Sequence, residues 1–180
     1  EMLLFFIDAL LSGYEQDERL RKLIDSTDIW IVPNMNFDGT ALDQRFNANG
    51  IDLNRNFPDR EWNTQSDTTG REPETMAVMQ WSGMNRFVLA ANFHSGALVV
   101  NYPWDKNLAG IGYAASPDDA TFQRLSRAYS LLNEPMYNSP YFEQGITNGA
   151  AWYETSGSMQ DWDYNWLGCL EVTVELSEIR

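Results

Sequence analysis

The sequence predicts an α/β domain, on three observations. Helical and strand-like segments alternate along the chain. The strand-like segments are short apolar runs of the kind that fill a sheet interior. Polar clusters rich in turn residues interrupt them, and in such domains functional side chains gather where strands end. The 180 residues are enough for one domain with a real core.

Met2–Leu11 carries apolar residues in a helical rather than an alternating pattern and is expected to lie against a core. Glu18–Ile24 continues the helical character and is closed by Asp25-Ser26-Thr27. Asp28-Ile29-Trp30-Ile31-Val32-Pro33 is apolar, β-branched and aromatic, which predicts a buried strand ended by Pro33. Asn34–Asp59 reads as a long polar loop with turn signals at Asp38-Gly39 and Asn49-Gly50. Phe46, Ile51, Leu53 and Phe57 thread it, so an ordered, functional loop is expected.

Glu72-Pro73-Glu74-Thr75 opens a helix, with proline near the first turn and acids near the positive end of its dipole, running to about Asn85. Arg86–Phe93 predicts the next strand, ending at His94, and Leu98–Tyr102 another. Ala120–Leu132 is helical and Pro135 stops it. Gly145–Met159 is loop-rich, and Leu170–Leu176 is a strand with clear alternation. No internal repeat or low-complexity tract stands out.

The net charge of −14 argues against nucleic acid as a partner, because phosphate binding needs a basic surface. A single cysteine, Cys169, excludes an intramolecular disulfide, and no Asn-x-Ser/Thr sequon occurs. The apolar run at the start is too short to span a bilayer, and it lacks the basic flank and cleavage site of a signal peptide. Glu1 already sits inside a helical pattern and Arg180 closely follows a strand-like run, so the chain is expected to be a piece of a longer protein.

The stretch from Arg45 to Asp59 sets two arginines among four asparagines in a chain with few cations. Guanidinium offers a planar fork that fits a carboxylate, and asparagine adds neutral donors and acceptors, so the loop is suited to gripping a small anion. His94, the sole histidine, ends an apolar strand. A histidine there is either a hydrogen-bonded packing residue or a metal ligand or base, and one histidine cannot complete a catalytic zinc site.

Glu175 lies in the apolar run Val172–Leu176, with Glu171 on the same face by period two. A carboxylate so placed is either paired or a tuned general base. Tyr153 lies in a Gly- and Asn-rich loop, where aromatics either pack or touch ligands. Asp105 follows Asn101-Tyr102-Pro103-Trp104 and by default is a solvated turn acid.

Together these stretches, with Asn92–Asp105 and Thr147–Glu175, resemble the zinc carboxypeptidases, most closely the carboxypeptidase N/E group that trims C-terminal Lys and Arg. The resemblance covers nearly the whole chain. It implies an α/β fold with a mixed central sheet and helices on both faces, of the phosphorylase/hydrolase-like sandwich type. His94 aligns with the third zinc ligand. Asn54 and Arg55 align with the pair that holds the peptide's terminal carboxylate, and Arg45 with the arginine that polarises the scissile carbonyl. Tyr153 aligns with the mobile tyrosine that closes over the bound carboxylate, and Glu175 with the catalytic glutamate. Gln160 falls at the floor of the side-chain pocket, and Asp105 aligns with the acid that meets a Lys or Arg side chain there. The implied cofactor is Zn2+, the implied partners are basic peptide or protein C-termini, and the implied setting is extracellular or the secretory pathway.

Two family features are absent from residues 1–180: the His-x-x-Glu segment that supplies the first two zinc ligands, expected upstream, and the β-sandwich domain that follows the catalytic domain. Phe37 also replaces the group's usual proline in Asn36-Phe37-Asp38-Gly39. The chain is therefore expected to be a partial peptidase catalytic domain. The alternatives are a catalytically inactive carboxypeptidase-like binding module, or a peptidase of another specificity. Against an endopeptidase stands Arg55, and against a glutamate-directed pocket stands Asp105.

Overall fold

A computed structural model describes residues 2–177, so the readings placed on Glu1 and Arg180 lie outside the described residues. The chain forms two compact units, Glu1–Ala48 and Asn49–Arg180.

In the first unit, α1 spans Met2–Gly13, α2 spans Glu18–Ser26 and α3 spans Phe37–Ala41. The Asp17 side chain caps α2, accepting from the amides of Arg19 at 2.8 Å and Leu20 at 3.3 Å. Asn36 caps α3 in the same way through the Gly39 amide at 2.9 Å, so Asp38-Gly39 lies inside a short helix rather than in an open turn. Along α1 only Leu10 is buried, whereas Leu4, Phe5 and Leu11 are exposed. The strand predicted over Asp28–Pro33 does not form: the segment has no regular structure, and Ile29, Trp30 and Val32 are exposed. Residue preference favoured a strand, but a strand needs a neighbouring edge for its amides and carbonyls. Among the described residues this unit contains no other strand.

The second unit is built on a four-stranded mixed sheet: β1 (Leu89–His94), β2 (Ala97–Tyr102), β3 (Ile146–Asn148) and β4 (Leu170–Ser177). The spatial order is β1-β4-β2-β3. β4 runs parallel to β1 and antiparallel to β2, and β3 runs parallel to β2. Although only Ser95-Gly96 separate β1 from β2, the two are not paired; β4 lies between them.

Side-chain alternation along β4 divides the sheet into two unlike faces. Leu170, Val172, Val174 and Leu176 share one face with Phe93, Leu98, Val100 and Tyr102. Helices α5 (Asp119–Ser130) and α6 (Glu134–Tyr137) close that face with Phe122 and Met136, both fully buried. Each such side chain contributes about 1.5–3 kcal/mol by leaving water. The opposite face carries Asn92 and His94 from β1, Glu171, Thr173 and Glu175 from β4, and Asn101 from β2. Helix α8 (Met159–Trp162) packs against β1 and β4 there and continues into a π-helical turn, Asp163–Leu167. The remaining helices are α4 (Pro73–Asn85), which opens with Pro73 and Glu74 as expected, and the single turn α7 (Gly149–Trp152).

Candidate active site

The polar face of the sheet is buried yet hydrophilic, so its groups must satisfy one another. Asn92 Nδ2 donates to Glu171 Oε1 at 2.8 Å, and Glu171 and Asp163 form a carboxyl pair. Burial pushes Glu171 well above the usual carboxylate range, and the charge of Asp163 adds to it. Hydrogen bonds from Cys169 and Glu171 partly offset burial at Asp163, whose carboxyl is nonetheless raised. Glu175 is 8% exposed and is the register partner of His94, with which it shares this face.

The segment Ile51–Asp59 is ordered, as its apolar residues suggest. Leu53 and Phe57 are buried, and the Phe57 ring packs against Trp162 at 5.2 Å. Between these anchors a 3-10 turn, Leu53–Arg55, presents Asn54 and Arg55 half-buried, with Asp52 accepting the Asn54 amide at 3.0 Å. The Asn54 side chain ties three segments together. Its Oδ1 accepts the Met159 amide at 2.9 Å, and its Nδ2 lies 3.3 Å from His94 Nε2. Arg55 Nη1 donates to the Asn54 carbonyl at 2.6 Å, which orients a guanidinium that has five N–H donors in all.

Gly157 completes the junction. Its amide donates to Asp59 Oδ2 at 2.9 Å and its carbonyl accepts the Phe57 amide at 3.1 Å. Its φ of 72° suits glycine, and a Cβ there would stand 2.5 Å from the Arg55 carbonyl oxygen.

Asp105 is not the solvated turn acid of the default reading. It is 3% exposed, and its Oδ1 accepts from Gln160 Nε2 at 2.8 Å and Asn101 Nδ2 at 3.2 Å. Burial raises its carboxyl above the ordinary range, while its hydrogen bonds and the Arg55 charge hold it back. Gly149 presses so closely that a Cβ would come within 2.0 Å of Asp105 Oδ1. Gln160 Oε1 and Asn101 Oδ1 are also buried and accept no hydrogen bond within the described chain.

Two backbone bonds, Ala150 N to Trp104 O at 2.9 Å and Thr155 N to Asp105 O at 3.0 Å, staple the segment between them to the Asp105 turn. Within that stapled segment Tyr153 is 45% exposed, its ring edge-on to Trp152 at 4.7 Å.

The fold thus joins Asn54 to His94 and Arg55 to Asn54, sets His94 opposite Glu175 in register, and joins Gln160 to Asp105, with Tyr153 in a segment stapled to the Asp105 turn. Arg45 belongs to the first unit, where it is exposed and its carbonyl accepts from Asn36 Nδ2 at 2.9 Å. Sequence reasoning missed Asn101, Arg60 and Asp161. Asn101 could have been noticed as a polar residue inside an apolar strand; Arg60 and Asp161 carry no local signal. A carboxylate beside an imidazole can move a proton, and the guanidinium fork nearby can hold an anion.

A mixed sheet with helices against its two faces is the fold class of solved metallocarboxypeptidases. The chain belongs to the zinc carboxypeptidase family, whose sequence profile matches residues 1–180. It is 45% identical over 199 aligned positions to carboxypeptidase D of Anas platyrhynchos, covering 100% of this chain and 14% of that protein. It is 42% identical over 179 positions to carboxypeptidase SOL1 of Arabidopsis thaliana, covering 99% of this chain and 36% of that protein. The structure of bovine thrombin-activatable fibrinolysis inhibitor, in complex with tick carboxypeptidase inhibitor, shares the fold. Its TM-score is 0.71 at 20% identity, with 96% of this chain and 64% of that one covered. The chain therefore spans well under half the length of these two curated relatives.

The family implies zinc, but the described residues do not by themselves fit it. His94 offers one imidazole where a catalytic zinc takes about three protein ligands. Among the described residues no group of three His, Cys, Asp or Glu side chains is placed to hold a metal, and none of the helices is long and apolar enough to cross a membrane.

Proposed function

We propose that this chain is part of the catalytic domain of a zinc-dependent metallocarboxypeptidase that releases C-terminal Lys or Arg from peptides and proteins. The observation that carries the reading is the buried carboxylate of Asp105. A buried carboxylate sits beside two buried amide oxygens, Gln160 Oε1 and Asn101 Oδ1, that accept no hydrogen bond. Buried acceptors left without hydrogen bonds around an acid favour a ligand rich in N–H donors, as guanidinium and ammonium groups are. An acid there selects a cationic side chain with about 2–5 kcal/mol when both are desolvated.

In this reading Arg55, oriented by its bond to Asn54, takes the substrate's terminal carboxylate on its fork. Asn54 adds an amide donor, and Tyr153 closes over the bound chain end. Glu175 removes a proton from the attacking water and delivers it to the leaving amine. Arg45 stabilises the oxyanion that develops at the scissile carbonyl. His94 supplies one zinc ligand, and two more are expected from a His-x-x-Glu segment upstream. Family likeness favours the secretory pathway or the extracellular space as the protein's setting.

The test is hydrolysis by the full-length protein of peptides ending in Arg, Lys, Phe and Glu, with and without a chelator. Release of Arg and Lys well above Phe and Glu, lost on chelation and restored by Zn2+, is expected. Cleavage indifferent to chelator refutes the proposal, and no cleavage of any peptide refutes it in favour of a non-catalytic binding module.

A further inference from the structure

The turn that bears Asp105 is gripped by two side chains to which the reading above gives no task. Asp161, on α8, accepts the Asp105 backbone N–H on both carboxylate oxygens, each at 3.0 Å. Arg60 closes the arrangement from the other side. Its guanidinium carbon lies 4.2 Å above the Trp104 ring centre, its Nη2 donates to the Lys106 carbonyl, and its Nε stands 3.8 Å from Asp161 Oδ2.

Three successive residues are therefore held by one ion pair: Trp104 by its ring, Asp105 by its N–H and Lys106 by its carbonyl. Both partners are largely withdrawn from water, with side-chain exposures of 16% for Arg60 and 9% for Asp161. Gln160, the residue before Asp161, binds the Asp105 side chain. One short helix thus fixes the backbone and the carboxylate of the same residue.

The arrangement is costly, which argues against its being mere filling. Asp161 is buried beside a second acid, and both burial and the Asp105 charge raise its carboxyl well above the ordinary range. The Asp105 N–H and Arg60 oppose that rise. A neutral acceptor would satisfy the Asp105 amide at less electrostatic expense, but it would not hold Arg60 against Trp104 and Lys106.

We infer that Asp161 and Arg60 are specificity-positioning residues: together they lock the Trp104–Lys106 turn so that the Asp105 carboxylate meets a cationic substrate side chain at contact distance. The inference rests on the assignment of Asp105 as the selectivity acid. Charge recognition falls off quickly when a buried carboxylate is free to shift, and displacements near an ångström are enough to matter.

The experiment measures kcat/KM of the full-length protein on matched peptides ending in Arg and in Phe, for wild type, Asp161→Ala, Asp161→Asn, Arg60→Met and Asp105→Asn. Asp161→Ala removes the acceptor and is expected to lower the Arg-to-Phe ratio about tenfold, mainly through KM for the Arg peptide. Asp161→Asn keeps an acceptor for the Asp105 N–H and is expected to recover part of that loss. Arg60→Met is expected to lower the ratio as well, and it decides the matter should Asp161→Ala fail to fold. Wild-type ratios in Asp161→Ala and Arg60→Met, or equal losses on both peptides, overturn the inference while Asp105→Asn still relaxes selectivity. An unchanged ratio in Asp105→Asn removes the underlying assignment and the inference with it.

Discussion

His94 and Glu175 face the same side of the sheet as register partners across the parallel β1–β4 pair. An imidazole and a carboxylate from residues far apart in the chain are thereby fixed by ladder hydrogen bonds rather than by mobile loops. Asn54 extends the constellation from His94 to the Met159 amide at the start of α8.

Replacing Glu175 by Gln keeps the shape and removes the proton acceptor. In the full-length protein turnover should fall about 10²–10⁴-fold, with thermal unfolding at or above the wild-type midpoint. Retention of more than about a tenth of the activity would show that another group takes the proton.

Arg55→Lys keeps the charge and loses the fork. KM for peptides with a free C-terminus should rise about 10–100-fold, with a smaller change in kcat. Amidated peptides, which carry no terminal carboxylate, should hardly distinguish variant from wild type. Steady-state kinetics on the paired peptides checks this.

Gly157→Ala tests the junction between the two functional segments. With φ at 72° and a new methyl group 2.5 Å from the Arg55 carbonyl oxygen, the backbone must shift. A loss of about 2–4 kcal/mol in urea unfolding is expected, together with a raised KM, because the displaced atom belongs to Arg55, proposed above to hold the substrate's terminal carboxylate. A wild-type unfolding midpoint would contradict the geometry.

The Glu171–Asp163 pair predicts how stability depends on pH. Both folded-state carboxyls titrate above their unfolded values, so the folded state binds more protons once the unfolded chain begins to ionise. Their contribution is fully favourable below about pH 4 and is lost as pH rises through the folded-state values. Glu171→Gln keeps an acceptor for Asn92 and removes the ionisable proton. It should raise the unfolding midpoint at pH 7–8 by about 1–2 kcal/mol equivalent and flatten the dependence above about pH 5. Unfolding midpoints measured from pH 4 to 8 on both proteins decide it.

Local patterns carried most of the elements. Alternation in Leu170–Leu176 marked β4 and placed Glu171 and Glu175 on one face. The proline and acids at Glu72–Thr75 marked the start of α4. Of the four apolar residues that thread the polar segment, Leu53 and Phe57 are buried as read, whereas Phe46 and Ile51 are exposed. Asp28–Pro33 shows the limit of the same logic. Its composition favours a strand, but a strand exists only where a neighbouring edge accepts its amides, and composition does not report the neighbour.

The sequence by itself determined the longer helices α1, α2, α4 and α5, the two-faced strand β4 and the residue types able to grip an anion and move a proton, because these follow from side-chain chemistry and short-range periodicity. Tertiary structure alone decided which of those residues meet. Insertion of β4 between β1 and β2 set Glu175 beside His94, although β1 and β2 are nearly continuous in the chain. Asn54 found the Met159 amide 105 residues away, and Asp161 found that of Asp105 56 residues away. Contacts at such separations leave no periodic trace. They arise because buried polar groups must be satisfied, and the strand order determines which partner each can reach.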